Sequence, residues 1–202
     1  IGQEDAIRTV ASSASRRFVV LAMPTGSGKS VCNVGAGRMI KKSREVLARI
    51  KGQGEESGTV ILTSTKALQD QYMRDFRSMG MVTVKGKNAY ACRILEGQSG
   101  ENTCDFGPCK WGVSCGFRAA GCRYYDAVRV FASAELAVTN YAFWYHYMRI
   151  ARTKEQELET RTPIGLLVLD EAHDVAENLV GLMEVTLQPR KLVDVMGKYC
   201  NG

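Results

Sequence analysis

The chain has 202 residues, of which 45% are hydrophobic and 24% are charged, and it contains 4 prolines. This composition excludes a disordered, collagen-like or mucin-like protein, and the length is typical of one large domain or of one domain with an insertion. The net charge of +6 allows a nucleic-acid partner and is equally typical of an ordinary globular domain.

The sequence contains no apolar run of membrane-spanning length and no charged-then-apolar leader. We therefore expect a protein that is neither secreted nor inserted in a membrane, located in the cytoplasm or, in a eukaryote, in the nucleus. The chain begins at Ile1 without a methionine and stops at Gly202 without an obvious terminator. We accordingly expect it to be part of a longer protein.

Apolar runs that predict buried strands alternate with helical patterns along most of the chain. The predicted strands are residues 18–22, 59–64, a weaker 81–84, 136–139 and 166–169. The predicted helices extend from just after Ser30 to about 50, from 66 to about 79, over 124–134, and from about 141 with a charged continuation through 154–159. This alternation predicts an α/β fold in which a parallel sheet is covered by helices on both faces.

The first predicted strand leads directly into a glycine-containing loop and then into a helix. The loop consists of Pro24, Thr25, Gly26, Ser27, Gly28, Lys29 and Ser30. Its glycines allow several backbone N–H groups to face one phosphate, Lys29 can reach the β- and γ-phosphates, and the Ser30 hydroxyl can ligate Mg²⁺. Met23 stands where the strict pattern has Gly or Ala, so a structural turn beside a lysine is the alternative interpretation.

Two carboxylates follow the last predicted strand, at the strand end where open α/β sheets bind ligands. We assign Asp170 to Mg²⁺ and Glu171 to the attacking water. His173 would then lie beside the γ-phosphate as a sensor or coupling residue. The alternative is an exposed acidic pair that caps the next helix.

Residues 85–122 show no periodicity and contain five of the 7 cysteines: Cys92, Cys104, Cys109, Cys115 and Cys122. An odd number of cysteines without a signal peptide argues against a disulfide framework, and clustering of this kind indicates a metal. No CxxC pair occurs, although zinc ribbons usually carry two. Four thiolates at uneven spacings suit a [4Fe–4S] cluster, with structural zinc as the alternative.

The motifs taken in chain order resemble the iron–sulphur DNA helicases of the XPD/DinG type, within helicase superfamily two. The matching stretches are MPTGSGKS, LTSTKALQDQY, the cysteine cluster, TNYAFW and VLDEAH. The resemblance implies a RecA-like motor domain formed by residues 1–84 and 123–187 and interrupted by an iron–sulphur insertion at 85–122. Residues 188–202 would begin a further insertion or a segment that is cut short.

The resemblance also implies roles for individual residues. Gln3 would read the adenine base, and the single-strand contacts would be Thr65, Lys66, Gln69, Asn140 and Tyr141. A Ser or Thr before a helix is also an ordinary N-cap. Sequence flanks similar to the family's make Cys92 and Cys122 cluster ligands. We choose Cys109 and Cys115 as the other two, because they lie nearest Cys122 and Cys109 follows a Gly-Pro turn, and Cys104 is then the spare cysteine.

These assignments predict an ATP- and Mg²⁺-dependent DNA helicase that acts on single strands and on single-strand/duplex junctions, as a monomer. The resemblance implies that the second wall of the ATP cleft, with its arginine finger, lies outside these residues, so we expect little ATP hydrolysis by this segment alone. One alternative is a metal-stabilised nucleic-acid-binding module with a regulatory or vestigial phosphate loop. Another is a P-loop ATPase that acts on protein.

Overall fold

A four-stranded parallel sheet organises the computed structural model, which describes residues 2–51, 58–153 and 164–183. Its strands are β1 (Gly58–Thr63), β2 (Val82–Thr83), β3 (Leu136–Asn140) and β4 (Ile164–Leu169). Their order across the sheet is β2-β3-β1-β4, and every neighbouring pair is parallel. The predicted α/β class with a parallel sheet is therefore confirmed.

Six helices accompany these strands in the described ranges. They are α1 (Gln3–Ser12), α2 (Lys29–Lys51), α3 (Lys66–Phe76), α4 (Arg123–Ala132), α5 (Tyr141–Thr153) and α6 (Val175–Met183). Helices α2 to α5 agree with the helices predicted from the sequence. The predicted continuation at 154–159 and the predicted final segment at 188–202 lie outside the described residues. No helix in the described part of the chain is both long and apolar enough to cross a membrane.

The core consists of two apolar clusters on opposite faces of β1. Ile61 packs in one cluster with Val34 of α2 and Tyr72 of α3. Val60 and Leu62, its neighbours in the strand, pack in the other cluster, which also contains Phe131 of α4 and Phe143 of α5. Because successive strand side chains point to opposite faces, this division shows that α2 and α3 cover one face and that α4 and α5 cover the other.

The predicted buried strand at residues 18–22 is wrong. These residues form no strand, and Phe18 and Val20 are 78% and 93% exposed. In the described part of the chain β4 is an edge strand, because it pairs with β1 alone. Its Leu167 and Leu169 side chains are 40% and 42% exposed, and Leu21 in the run at 18–22 is 36% exposed. An apolar run becomes a buried strand only when it joins a ladder, and this one has no strand partner among the described residues.

The segment 85–122 is irregular, as the sequence predicted. It contains three short 3₁₀ turns (Lys87–Ala89, Arg93–Leu95 and Pro108–Trp111) and an isolated antiparallel bridge between Ala91 and Thr103. Within this range the buried side chains are those of Cys92 and Cys104. The segment therefore has almost no apolar core of its own.

Candidate functional site

The phosphate loop curls immediately before helix α2 begins at Lys29. Gly26 and Gly28 have φ values of 78° and 87°, in the left-handed region that glycine adopts most easily. A Cβ atom on Gly28 would lie 2.1 Å from Nε2 of Gln3. The loop therefore needs glycine at position 28 for its backbone conformation, and a side chain there would also displace the amide of Gln3.

Gln3 ties the phosphate loop to helix α1. Its Nε2 donates to the main-chain oxygen of Ser27 over 3.0 Å, and the Ser27 hydroxyl donates to the Pro24 oxygen over 2.6 Å. The structure thus brings the predicted adenine-reading glutamine next to the loop, where it fixes the turn. Its contact with a base stays a prediction.

The predicted catalytic lysine and glutamate meet across the site. Lys29 Nζ lies 2.9 Å from Oε1 of Glu171, although the two residues are 142 positions apart in the sequence. The hydrogen bond from Lys29, followed by its charge, lowers the pKa of the Glu171 carboxyl, while partial burial opposes this shift. Glu171 has a φ of 51°, the one positive value of a non-glycine residue in the described ranges. Strain of this kind is concentrated at functional sites.

His173 lies on the solvent side of the same corner, with a side chain 74% exposed. Its Nδ1 is 3.5 Å from Oε2 of Glu171, and its Nε2 is 3.3 Å from Oδ1 of Asp174. The imidazole therefore borders the carboxylate to which we assign the attacking water, and its role as a sensor stays a prediction.

Asp170 lies inside the protein, directly after β4, and is 7% exposed. Its N–H donates to the Leu62 oxygen over 2.9 Å, which extends the ladder with β1. Tyr72 donates its hydroxyl hydrogen to Oδ2 over 3.0 Å, and Asn33 Nδ2 lies 3.5 Å from Oδ1. Burial, together with the charge of Asp170, raises the pKa of the Tyr72 hydroxyl, which therefore stays protonated and acts as a donor.

Sequence reasoning missed Asn33 and Tyr72 as site residues. Asn33 follows Ser30 by three positions in helix α2, so the spacing alone places both on one helix face. Tyr72 ends the LTSTKALQDQY stretch, and its contact with a strand almost a hundred residues later has no local signal. The Ser30 hydroxyl also lies near the Tyr72 hydroxyl, where it opposes the rise in the Tyr72 pKa.

The residues predicted for Mg²⁺ fit this ion by their chemistry. Mg²⁺ prefers oxygen ligands and is usually held by one or two carboxylates together with phosphate oxygens and water. Ser30 supplies a hydroxyl and Asp170 a carboxylate, and the Tyr72 hydroxyl lies near the first and donates to the second. The loop, the lysine and these oxygens can therefore hold the phosphates of a nucleotide with its divalent ion.

The predicted DNA contacts that follow β1 divide into surface and core residues. Thr65 is exposed and caps α3, because its Oγ1 accepts from the Leu68 N–H over 3.2 Å. Lys66 is also exposed. Gln69 is fully buried, and its Nε2 donates to Oγ1 of Thr83 over 2.6 Å. In this structure the amide of Gln69 therefore holds α3 against β2 from inside the protein, and its contact with DNA stays a prediction.

Asn140 ends β3 and Tyr141 begins α5, at the same edge of the sheet. Asn140 Oδ1 accepts from the N–H of Phe143 over 2.8 Å, which caps the first turn of α5. Tyr141 is 3% exposed and donates its hydroxyl hydrogen to the main-chain oxygen of Asp170 over 3.1 Å. Its pKa is raised to about 12 by burial and by the charge of Asp170. Tyr141 therefore supports the acidic strand end from inside the core.

The cysteines converge differently from the set chosen on sequence. Cys104 Sγ lies 4.0 Å from Cys122 Sγ. The pKa of the Cys104 thiol is raised to about 12 by burial and then by the nearby thiols of Cys122, Cys92 and Cys109. Cys104, predicted as the spare cysteine, thus lies within the group, and Cys115 is not among the thiols that act on it.

The backbone explains why sequence distance misled the choice. Main-chain hydrogen bonds from Cys92 to Asn102 and from Cys104 to Tyr90, both 2.7 Å, form a short antiparallel pair that folds Cys104 back onto Cys92. In the described residues, no group of three or more His, Cys, Asp or Glu side chains is arranged to hold a metal ion. The thiols therefore have the chemistry of metal ligands, but in this structure they are not arranged around a common point as a metal site requires.

A comparison with protein families identifies the class that this fold and site define. A family model described as "Type III restriction enzyme, res subunit" (ResIII) matches residues 2–194. The chain belongs to the ResIII family, and it is a helicase-like, ATP-hydrolysing motor domain of superfamily two. No curated protein and no solved structure matches the chain. The family description covers the motor class and contains no iron–sulphur feature.

Proposed function

We propose that the chain is the ATP-binding lobe of a DNA helicase of the iron–sulphur, XPD/DinG type. The observation that carries the proposal is the 2.9 Å contact between Lys29 and Glu171, which brings the phosphate loop to the acidic strand end. In superfamily-two motors these parts bind and hydrolyse ATP. The ammonium of Lys29 moves from Glu171 to the phosphates when nucleotide enters, and the freed Glu171 orients the attacking water.

Calorimetry with ATP and Mg²⁺ tests the nucleotide site. Lys29→Ala should weaken ATP binding at least tenfold, because a charge-assisted contact to phosphate is worth roughly 1.5–3 kcal/mol. Lys42→Ala is the matched control, since it removes the same charge from an exposed position of the same helix. Equal ATP affinity in the wild type and in Lys29→Ala would overturn the proposal.

The proposed DNA path follows the carboxyl edge of the sheet. Thr65 and Lys66 are exposed after β1, and Asn140 is the last residue of the neighbouring strand β3. Hydroxyl groups, helix N-termini and lysines contact the phosphate backbone without reading sequence. Binding of a single-stranded oligonucleotide, measured by fluorescence anisotropy, should weaken steeply with salt and should weaken further in Lys66→Ala. ATP binding without any DNA affinity would favour a motor that acts on protein.

The cysteine-rich segment adds a second surface for nucleic acid. Trp111 is 76% exposed, and the ammonium of Lys110 lies 5.8 Å from its ring centroid and 5.4 Å from that of Phe106. Exposed rings beside cations are the side chains on which unpaired bases stack. We propose that the surface formed by Phe106, Lys110 and Trp111 contacts DNA near the point where the strands separate.

We also propose that Cys92, Cys104, Cys109 and Cys122 bind a metal that orders residues 85–122. The helicase resemblance implies a [4Fe–4S] cluster. One observation favours zinc as a second candidate: two thiolates on a tetrahedral zinc lie about 3.8 Å apart, and Sγ of Cys104 is 4.0 Å from Sγ of Cys122. In both cases ligation would supply folding free energy that the segment cannot obtain from packing.

Metal analysis of anaerobically purified protein distinguishes these candidates. Iron with acid-labile sulfide supports the cluster, and stoichiometric zinc without iron supports the second candidate. Cys104→Ser should lose the metal, whereas Cys115→Ser, the matched control, should retain it. If Cys115→Ser loses the metal and Cys104→Ser retains it, the ligands are those chosen on sequence, with Cys115 in place of Cys104. Absence of any metal from the wild type would overturn the proposal.

A further inference from the structure

Three side chains, of which Tyr72 and Asp170 are buried and Asn33 is partly buried, form a polar cluster around the proposed magnesium carboxylate. They are Asn33 of α2, Tyr72 of α3 and Asp170, which follows β4. The Tyr72 hydroxyl donates to Oδ2 of Asp170 over 3.0 Å and accepts from Nδ2 of Asn33 over 2.8 Å. None of these hydrogen bonds is needed to form the helices or the sheet, so the cluster calls for a separate explanation.

The hydroxyl of Tyr72 has one orientation available to it. Tyr72 is 1% exposed, so no water competes for its hydrogen. Asn33 Nδ2 donates to its oxygen, and the carboxylate of Asp170 is the acceptor within reach of its single hydrogen. A donor fixed in this way at Oδ2 also fixes the rotation of the whole carboxylate group, because the two oxygens share one plane.

We infer that Tyr72 is the positioning residue for the Asp170 carboxylate and sets the affinity of the nucleotide site for Mg²⁺. The inference rests on the proposed function, because it takes Asp170 and Ser30 as the groups that bind the ion. Side chains that hold a metal ligand in place are worth about 10–100-fold in metal affinity. Tyr72 contacts neither nucleotide nor metal and acts through Asp170 alone.

A second buried tyrosine provides a matched control. Tyr141 is 3% exposed and also donates to Asp170, but its partner is the main-chain oxygen, at 3.1 Å. Tyr72→Phe and Tyr141→Phe each remove one buried hydroxyl next to Asp170. Tyr72→Phe removes the donor to Oδ2 and frees the Asp170 carboxylate to rotate. Tyr141→Phe leaves the hydrogen bond from Tyr72 to that carboxylate in place.

The experiment measures binding of a fluorescent ATP analogue to the whole chain, without DNA, over a Mg²⁺ titration and in EDTA. Tyr72→Phe should shift the Mg²⁺ midpoint upward about tenfold while its nucleotide affinity in EDTA stays that of the wild type. Tyr141→Phe should keep the wild-type midpoint. Thermal unfolding of all three proteins, followed by circular dichroism, shows whether the two variants are folded and similarly destabilised.

Each outcome separates the inference from the proposed function. Wild-type binding that strengthens with Mg²⁺, with an unchanged midpoint in Tyr72→Phe, overturns the inference and leaves the nucleotide site standing. Equal midpoint shifts in both tyrosine variants overturn it as well, since they would report a general loosening of the strand end. Wild-type protein that binds no nucleotide would overturn both. If Tyr72→Phe does not fold, Asn33→Ala tests the same cluster, and it should raise the midpoint several-fold.

Discussion

The carboxyl edge of the sheet and the cysteine-rich segment 85–122 are both candidate sites, but they are built in opposite ways. At the sheet edge, Asp170, Thr63 and Tyr141 are buried and hydrogen bonded to neighbouring strands and helices. In the segment, buried side chains are thiols, and large apolar side chains such as Trp111 and Val113 are 76% and 58% exposed.

This difference shows where each region obtains its order. The sheet edge rests on two apolar clusters, so its polar side chains are positioned before any ligand arrives. The segment buries too little apolar surface to offset the loss of chain entropy, and metal ligation is the usual substitute in such cases. A change in the core should therefore unfold the sheet edge, whereas a change on the segment surface should leave the fold intact.

The largest expected effect follows from truncating the core beneath the sheet edge. Ile61 is fully buried between α2 and α3, so Ile61→Ala should lower the free energy of unfolding by about 2–5 kcal/mol. Trp111→Ala, which removes a larger but exposed side chain, should change it by less than about 0.5 kcal/mol. Urea unfolding followed by circular dichroism measures both. A loss above about 1 kcal/mol for Trp111→Ala would contradict the contrast between the two regions, because it would mean that the segment packs against the core.

The same contrast explains what the sequence could predict. Strands β1, β3 and β4 and helices α2 to α5 were predicted because each combines a local periodicity with turn residues at its ends. The run at 18–22 has the same pattern and forms no strand, because pairing depends on a partner that no local window contains. Burial of Gln69 was missed for the same reason: its acceptors, Thr83 and Val84, lie beyond the helix that carries it.

The site was predictable where chemistry requires a fixed residue type at a fixed spacing. The phosphate loop and the Asp170–Glu171 pair meet that condition, and the structure brings Lys29 to Glu171. Tyr72 and Asn33 do not, because many side chains can hold a carboxylate. Among the cysteines, spacing favoured Cys115, whereas the main-chain pairing of 90–92 with 102–104 brings Cys104 into the group.

A smaller effect is expected at the first turn of α3, which lies at the sheet edge and carries a proposed DNA contact. Thr65 Oγ1 accepts from the N–H of Leu68, so Thr65→Ala should cost about 1 kcal/mol of unfolding free energy. Thr65→Ser retains an acceptor oxygen, and serine caps helices at least as well as threonine, so its unfolding free energy should stay close to that of the wild type. Chemical denaturation of the two variants measures the difference. Equal losses would show that the Thr65 methyl group matters more than the cap.

The smallest effect concerns the ion pair of Lys29 with Glu171, whose side chains are 27% and 30% exposed. The folded-state pKa of Glu171 is lowered from 4.5, so the pair stabilises the fold above that value and its contribution disappears as the pH falls through the lower folded pKa. At pH 7, Glu171→Gln should therefore be less stable than the wild type by less than about 1 kcal/mol, and the difference should vanish at pH values low enough to protonate Glu171 in the folded protein. Urea unfolding at several pH values measures it, and about 1 M salt should reduce it. A difference that persists at the lowest pH would assign the stabilisation to the shape of the Glu171 side chain and not to its charge.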